Sequence, residues 1–131
     1  MKHITEFINE HRVKTLLWID DIRDPNTGDW IRNFSPIGAD VKVIWVKSYD
    51  ECVKYITSKG LPTAVCFDHD LGDVNREDDD EKTGYDCAKW IADYCMDHHK
   101  KYPAFNIQSD NGPGRENIYR FIINFKKHTH L

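Results

Sequence analysis

Thr15-Leu16-Leu17-Trp18-Ile19-Asp20-Asp21 is the stretch on which the fold turns. A short, nearly continuous apolar run stops abruptly at two adjacent carboxylates. A half-buried strand would alternate apolar and polar residues. An unbroken run this short fits a strand buried on both faces, as in a parallel sheet. The same construction returns at Thr63 to Phe67 (TAVCF), which ends in Asp68-His69-Asp70. Val41 to Val46 (VKVIWV) and Phe105 to Gln108 read as two further strands, the last running into Ser109-Asp110-Asn111.

Helical signals fall between these strands. Ser48 with Glu51 three residues on forms a capping box, and the helix it opens runs through Tyr55 and Ile56 to Gly60, with Pro62 just beyond. Thr83-Gly84 opens a long helix in which Ala88, Ile91 and Cys95 share a face. A last helix is expected from about Arg115 to Lys126, with Ile118, Phe121, Ile122 and Phe125 at i, i+3, i+4 and i+7. Ile4, Phe7, Ile8 and His11 suggest a short first helix, Asp24 to Gly28 is loop chemistry, and Trp30, Ile31 and Phe34 are expected to pack over the core. Strands alternating with helices predict an α/β fold, a parallel sheet covered on both faces, in one domain over residues 1–131.

Composition agrees with one soluble domain. The chain has 131 residues, of which 40% are hydrophobic and 31% charged. No apolar run approaches the roughly 20 residues of a membrane helix, and the first residues carry no apolar signal core, so a cytoplasmic protein is expected. A formal net charge of −4 argues against an extended nucleic-acid surface, though not against one nucleotide or one strand end. Cys52, Cys66, Cys87 and Cys95 include no CxxC pair and read as buried free thiols of a reducing compartment.

In open parallel sheets, ligands bind outside the carboxyl ends of the strands. If the first and third strands are neighbours, up to four carboxylates (Asp20, Asp21, Asp68, Asp70) crowd into one space. Like charges at close range need a counter-charge, and an all-oxygen donor set selects a hard cation, Mg²⁺ before Zn²⁺, with Mn²⁺ as an alternative. One Asp at a strand end is ordinarily a turn or cap residue; doublets at two strand ends favour a metal site.

Other residues keep two readings. Ser109 to Arg115 is either an anion site at a helix N-terminus, with Gly112 and Gly114 admitting close backbone approach, or an ordinary polar turn. Arg23 either pairs with Asp24 or faces a phosphate. His69, between two candidate ligands, either moves a proton or is structural. The acidic run from Asp73 to Glu81 lacks the EF-hand arrangement and reads as solvated loop. His98, His99, His128 and His130 are given no catalytic role.

Taken together, these motifs resemble response-regulator receiver domains and, more closely, the cyclic-phosphate processing receiver domain. That family's pattern has an Asp-Asp-x-Arg-x-Pro start, an Asp-His-Asp-Leu centre and a His-Ser-x-Asn-Pro-x-Gly-Arg-x-Asn end. Here they read Asp20-Asp21-Ile22-Arg23-Asp24-Pro25, Asp68-His69-Asp70-Leu71 and Gln108-Ser109-Asp110-Asn111-Gly112-Pro113-Gly114-Arg115-Glu116-Asn117. The resemblance spans about Leu16 to Phe125. It implies a receiver-like, flavodoxin-type three-layer sandwich with about four strands, and a role with cyclic phosphates of nucleotides or RNA ends. It also implies Asp20, Asp21 and Asp68 as Mg²⁺ ligands. Asp68, His69 and Asp70 would be catalytic, Asp68 as ligand or nucleophile. Arg23, Ser109, Asn111, Gly114, Arg115 and Asn117 would bind phosphate. Two departures stand out. Gln108 replaces the family histidine, and no fifth strand with a phosphoryl-contacting lysine is expected, which disfavours a phospho-accepting receiver. A non-catalytic module binding a nucleotide or phosphorylated ligand is the alternative to a phosphoesterase; the oligomeric state is left open.

Overall fold

The computed structural model describes residues 13–72 and 82–130. The expected first helix and the acidic run from Asp73 to Glu81 lie outside the described residues.

The elements alternate as the sequence implies. Strand β1 (Thr15–Ile19) is followed by a short helix α1 (Trp30–Phe34), then β2 (Lys42–Val46), α2 (Tyr49–Lys59), β3 (Ala64–Phe67), α3 (Gly84–His98), β4 (Ala104–Ile107) and α4 (Gly112–His128). The four strands form one all-parallel sheet in the order β2-β1-β3-β4. β1 and β3, the two strands ending in carboxylates, are therefore neighbours, with Ile19 beside Phe67 and Phe67 beside Ile107.

Strand alternation divides the core in two. Leu17, Ile19, Val65 and Phe67 face the layer of α2, α3 and α4, where Cys52, Ile56, Ala88, Ile91, Cys95, Ile118 and Ile122 are buried. Leu16, Trp18, Ala64 and Cys66 face the other way, under Trp30, Ile31, Phe34 and Trp45. Both faces are covered, but unevenly: three long helices on one, a five-residue helix and large aromatics on the other. Each fully buried Leu or Ile here contributes about 1.5–3 kcal/mol. All four cysteines are free and buried, as expected.

Local signals set the helix ends. Ser48 accepts the Glu51 N–H, and Thr83 with Asp86 makes a complete capping box at α3. Asn111 caps α4 by accepting the Gly114 N–H at 2.9 Å. That cap starts α4 at Gly112, three residues before the expected position. Strand β1 has the expected bounds, β2 and β3 each start one residue later than expected, and β4 lies one residue earlier. Among the described residues, no helix is long and apolar enough to cross a membrane.

Candidate functional site

The chain runs from β1 outward to β2, then returns past β1 to β3, so the strand order reverses between β1 and β3. Such a switch point leaves a crevice at the carboxyl ends of the two strands. The sheet ladder continues one residue into it. The N–H of Asp20 donates to Val46 O at 3.0 Å, that of Asp68 to Ile19 O at 2.9 Å, and that of Gln108 to Phe67 O at 3.0 Å. Asp20, Asp68 and Gln108 thus stand in one row across three strands.

Asp20 is fully buried. Its Oδ1 accepts the backbone N–H groups of Ile22 at 3.0 Å and Arg23 at 2.9 Å, which folds the chain tightly past the strand end. Its Oδ2 faces Arg23 Nη1 at 3.3 Å and Gln108 Nε2 at 3.4 Å. Trp45 Nε1 donates to the Asp20 carbonyl at 2.7 Å, and Trp18 Nε1 to the Arg23 carbonyl at 2.9 Å, so two indoles fix this turn from below. Asp21 and Asp68 join Asp20, and one oxygen from each carboxylate lies within 4.8 Å of the others.

Burial pushes the Asp68 carboxyl up to about 6; the Asp20 charge adds to this, while Arg23 and a hydrogen bond from Ser109 oppose it. Burial likewise raises Asp21, against a bond from its own backbone, with Asp20 adding to the rise. Burial is the larger cause at both residues, and the neighbouring carboxylates add to it.

The donor set fits a hard divalent cation. It is all oxygen, and Asp21 Oδ1 is buried with no hydrogen-bond donor, as is Gln108 Oε1 on the same row. Asp20, Asp21 and Asp68 are the residues that would hold it. Asp70 is not a fourth member of this cage. Its carboxylate turns outward to His69 and Asn111.

Asp70 belongs to a second cluster. Its Oδ1 lies 2.9 Å from His69 Nδ1, and Asn111 Nδ2 reaches Oδ2 and Oδ1 at 3.3 and 3.4 Å. The hydrogen bond to His69, foremost, and that from Asn111 hold the Asp70 carboxyl below its ordinary value. A carboxylate on Nδ1 favours the proton there, leaving Nε2 as the basic nitrogen. The backbone of His69 and its ring are each fixed by a glycine. The His69 carbonyl accepts the Gly84 N–H at 2.8 Å. A Cβ on Gly114 would stand 2.5 Å from the imidazole Cγ. Gly114 therefore makes room for His69, a different use from the phosphate approach expected of it. Ser109 Oγ accepts the Asn111 N–H at 3.1 Å and also meets Asp68, tying the two clusters together.

Arg23 resolves against the pairing with Asp24, which instead holds its own turn through the N–H of Asn26 and the hydroxyl of Thr27. The guanidinium bridges Asp20, Asp68 and, at 2.6 Å, Asp110. Arg115 and Asn117 are exposed on α4 and point elsewhere. Arg115 lines a cleft with Asn106, Ile107 and Tyr119, and Asn117 a groove with Tyr85 and Phe121. Among the described residues, neither side chain makes a hydrogen bond or ion pair to Asp20, Asp21, Asp68 or His69.

Sequence reasoning gives no site role to Asp110, Trp30 or Gly72, although Asp110 and Trp30 both hold Arg23, and it does not place Gln108. Gly72 has φ +56°, and a Cβ there would stand 2.5 Å from Asp21 Oδ2. Its position two residues after Asp70 was the available signal.

Comparison with known proteins adds two findings. The family model described as the cyclic-phosphate processing receiver domain matches residues 15–124. A solved structure described as amino acids 181–211 of the yeast Spc42 trimeric coiled coil, fused to another structure, is similar with a TM-score of 0.52 and 17% identity. That similarity covers 83% of this chain and 63% of the other, so the chain spans less than two thirds of its length. At that identity it speaks to the fold alone. No curated protein matches the chain.

Proposed function

The chain belongs to the cyclic-phosphate processing receiver domain family, and from that premise we propose that it is a divalent-cation-dependent phosphoesterase opening cyclic phosphates of nucleotides or RNA ends. The observation that carries this reading is the meeting of Asp20, Asp21 and Asp68 at the switch point, with the buried Asp21 Oδ1 lacking any donor.

Hydrolysis of a cyclic phosphate forms one P–O bond to water and breaks one ester P–O bond. A proton must leave the attacking water, and one must reach the departing alkoxide. A Mg²⁺ bound by the three aspartates would supply Lewis acidity towards a phosphoryl oxygen and lower the pKa of water. His69, oriented through Nδ1 by Asp70, offers Nε2 to carry the proton in either direction. Arg23 and Ser109 offer positive charge and a hydroxyl beside the cage, where charge develops on the phosphoryl group. Asn111 keeps Asp70 in place and the start of α4 closed.

Gln108 favours a second reading, a binding module without turnover. A carboxamide moves no proton, and this one is engaged with Ile19 O at 3.1 Å and Asp20 Oδ2. Incubation with Mg²⁺ and a panel of 2′,3′- and 3′,5′-cyclic nucleotides separates the two. Linear monophosphate formed by wild type and lost in Asp68→Asn supports the esterase. Saturable binding with no product supports the module, and neither binding nor product removes both.

A further inference from the structure

Arg23 stands in two places at once. Nη1 lies 3.3 Å from Asp20 Oδ2 and 3.5 Å from Asp68 Oδ2, inside the cage. Nη2 lies 2.6 Å from Oδ2 of Asp110, whose side chain is 95% exposed. The guanidinium carbon sits 5.5 Å from the centre of the Trp30 ring. Asp20 Oδ1 is committed to two backbone N–H groups, so Oδ2 is the oxygen left for any cation. Arg23 already faces that oxygen.

A divalent ion and a guanidinium a few ångströms apart repel by several kcal/mol even at an effective dielectric constant of about 20. The two cannot share Asp20 Oδ2 and Asp68 Oδ2 at full strength. The guanidinium has somewhere else to stand, because Asp110 and Trp30 hold its outer edge without help from the cage.

We infer that Arg23 and a divalent cation are alternative counter-ions of Asp20 and Asp68, so that cation uptake displaces Nη1 from the cage and leaves the guanidinium at the rim, held by Asp110 and Trp30 and open to an anion. This rests on the metal reading of the proposed function. It adds to it an order of events: cation first, then phosphate. Arg23 is in this sense a positioning residue of the cation site as well as a phosphate contact.

Calorimetric titration of the full chain with Mn²⁺ alone tests the exchange. Arg23→Gln, checked for folding by far-ultraviolet circular dichroism, should take up Mn²⁺ about tenfold more tightly than wild type, since the competing charge is gone. Equal or weaker uptake by the folded variant, with wild type binding normally, overturns the exchange and leaves the metal reading standing. No Mn²⁺ uptake by either protein overturns both. Wild type alone decides the matter if the variant does not fold. Mg²⁺ should shift the Arg23 Nε–Hε resonance with the midpoint of metal uptake, and a resonance unmoved at saturation overturns the exchange.

Discussion

Gly114 and Gly84 both border the candidate site, and they differ in what a methyl group would strike. At Gly114 the neighbour is the His69 ring, 2.5 Å from the built Cβ at Cγ and 2.6 Å at Cδ2. A side chain can turn, so Gly114→Ala should keep the fold at a cost of about 1–3 kcal/mol while pushing the imidazole off Asp70. The Asp70 carboxyl should then rise towards its ordinary value, read by carboxyl NMR titration. Under the proposed function, turnover should fall by about a hundredfold, the usual consequence of an ångström of misplacement. At Gly84 the neighbour is the backbone carbonyl of Asp68, closer than any real contact. No rotamer relieves that clash. Gly84→Ala should lower stability by about 3 kcal/mol, read from the urea midpoint at unchanged slope.

The start of α4 shows how one element serves both fold and site. Asn111 accepts the Gly114 N–H with its side-chain oxygen and offers its amide nitrogen to Asp70. Asn111→Ala should cost about 1 kcal/mol, a melting temperature lower by about 4 °C, and should raise the Asp70 pKa because one of its hydrogen bonds is lost. Asn111→Ser should restore most of the melting temperature, since Ser caps about equally well, without restoring the amide to Asp70. Elements of this kind were legible in the sequence wherever burial repeats with a fixed period. The runs 15–19 and 63–67 announced strands buried on two faces, and their terminal aspartates announced the rim. Helix α1 has five residues, too few for a period to emerge, so its apolar residues Trp30, Ile31 and Phe34 were visible but the helix was not. The face of α4 was half legible. Ile118 and Ile122 mark the inner row, and Gly114 continues it four residues earlier, which turns Arg115 and Asn117 outward. Arg23 could not be placed, because its partners Asp68 and Asp110 lie 45 and 87 residues away and meet it only through strand order. Gln108 had the same difficulty. Its side chain means something only once Ile107, Phe67 and Ile19 are known to stand in register.

For the whole molecule, the acid cage couples stability to pH. Asp68 has its carboxyl raised to about 6 by burial and by Asp20, against 3.8 for an ordinary aspartate. Between those values the folded chain keeps a proton that the unfolded chain has released. Raising the pH through this window therefore lowers stability; the loss is absent below about pH 4 and complete above about pH 6. Once complete, it amounts to about 3 kcal/mol. Asp70 acts with the opposite sign and in a lower window. Its depressed carboxyl contributes stability that is lost only as the pH falls below the ordinary carboxylate range. The metal-free protein, unfolded by urea in the presence of a chelator, should thus be less stable at pH 7 than at pH 4.5. Asp68→Asn should flatten that slope, since an amide carries no charge at either pH. A divalent cation held by Asp20, Asp21 and Asp68 should reverse it, because binding the ionised cage adds stability as the logarithm of free cation over its dissociation constant. Mg²⁺ at one hundred times that constant should restore about 2.7 kcal/mol at pH 7 and much less at pH 4.5. A metal-free stability that rises from pH 4.5 to 7 would mean that Arg23 already neutralises the buried carboxylates in full.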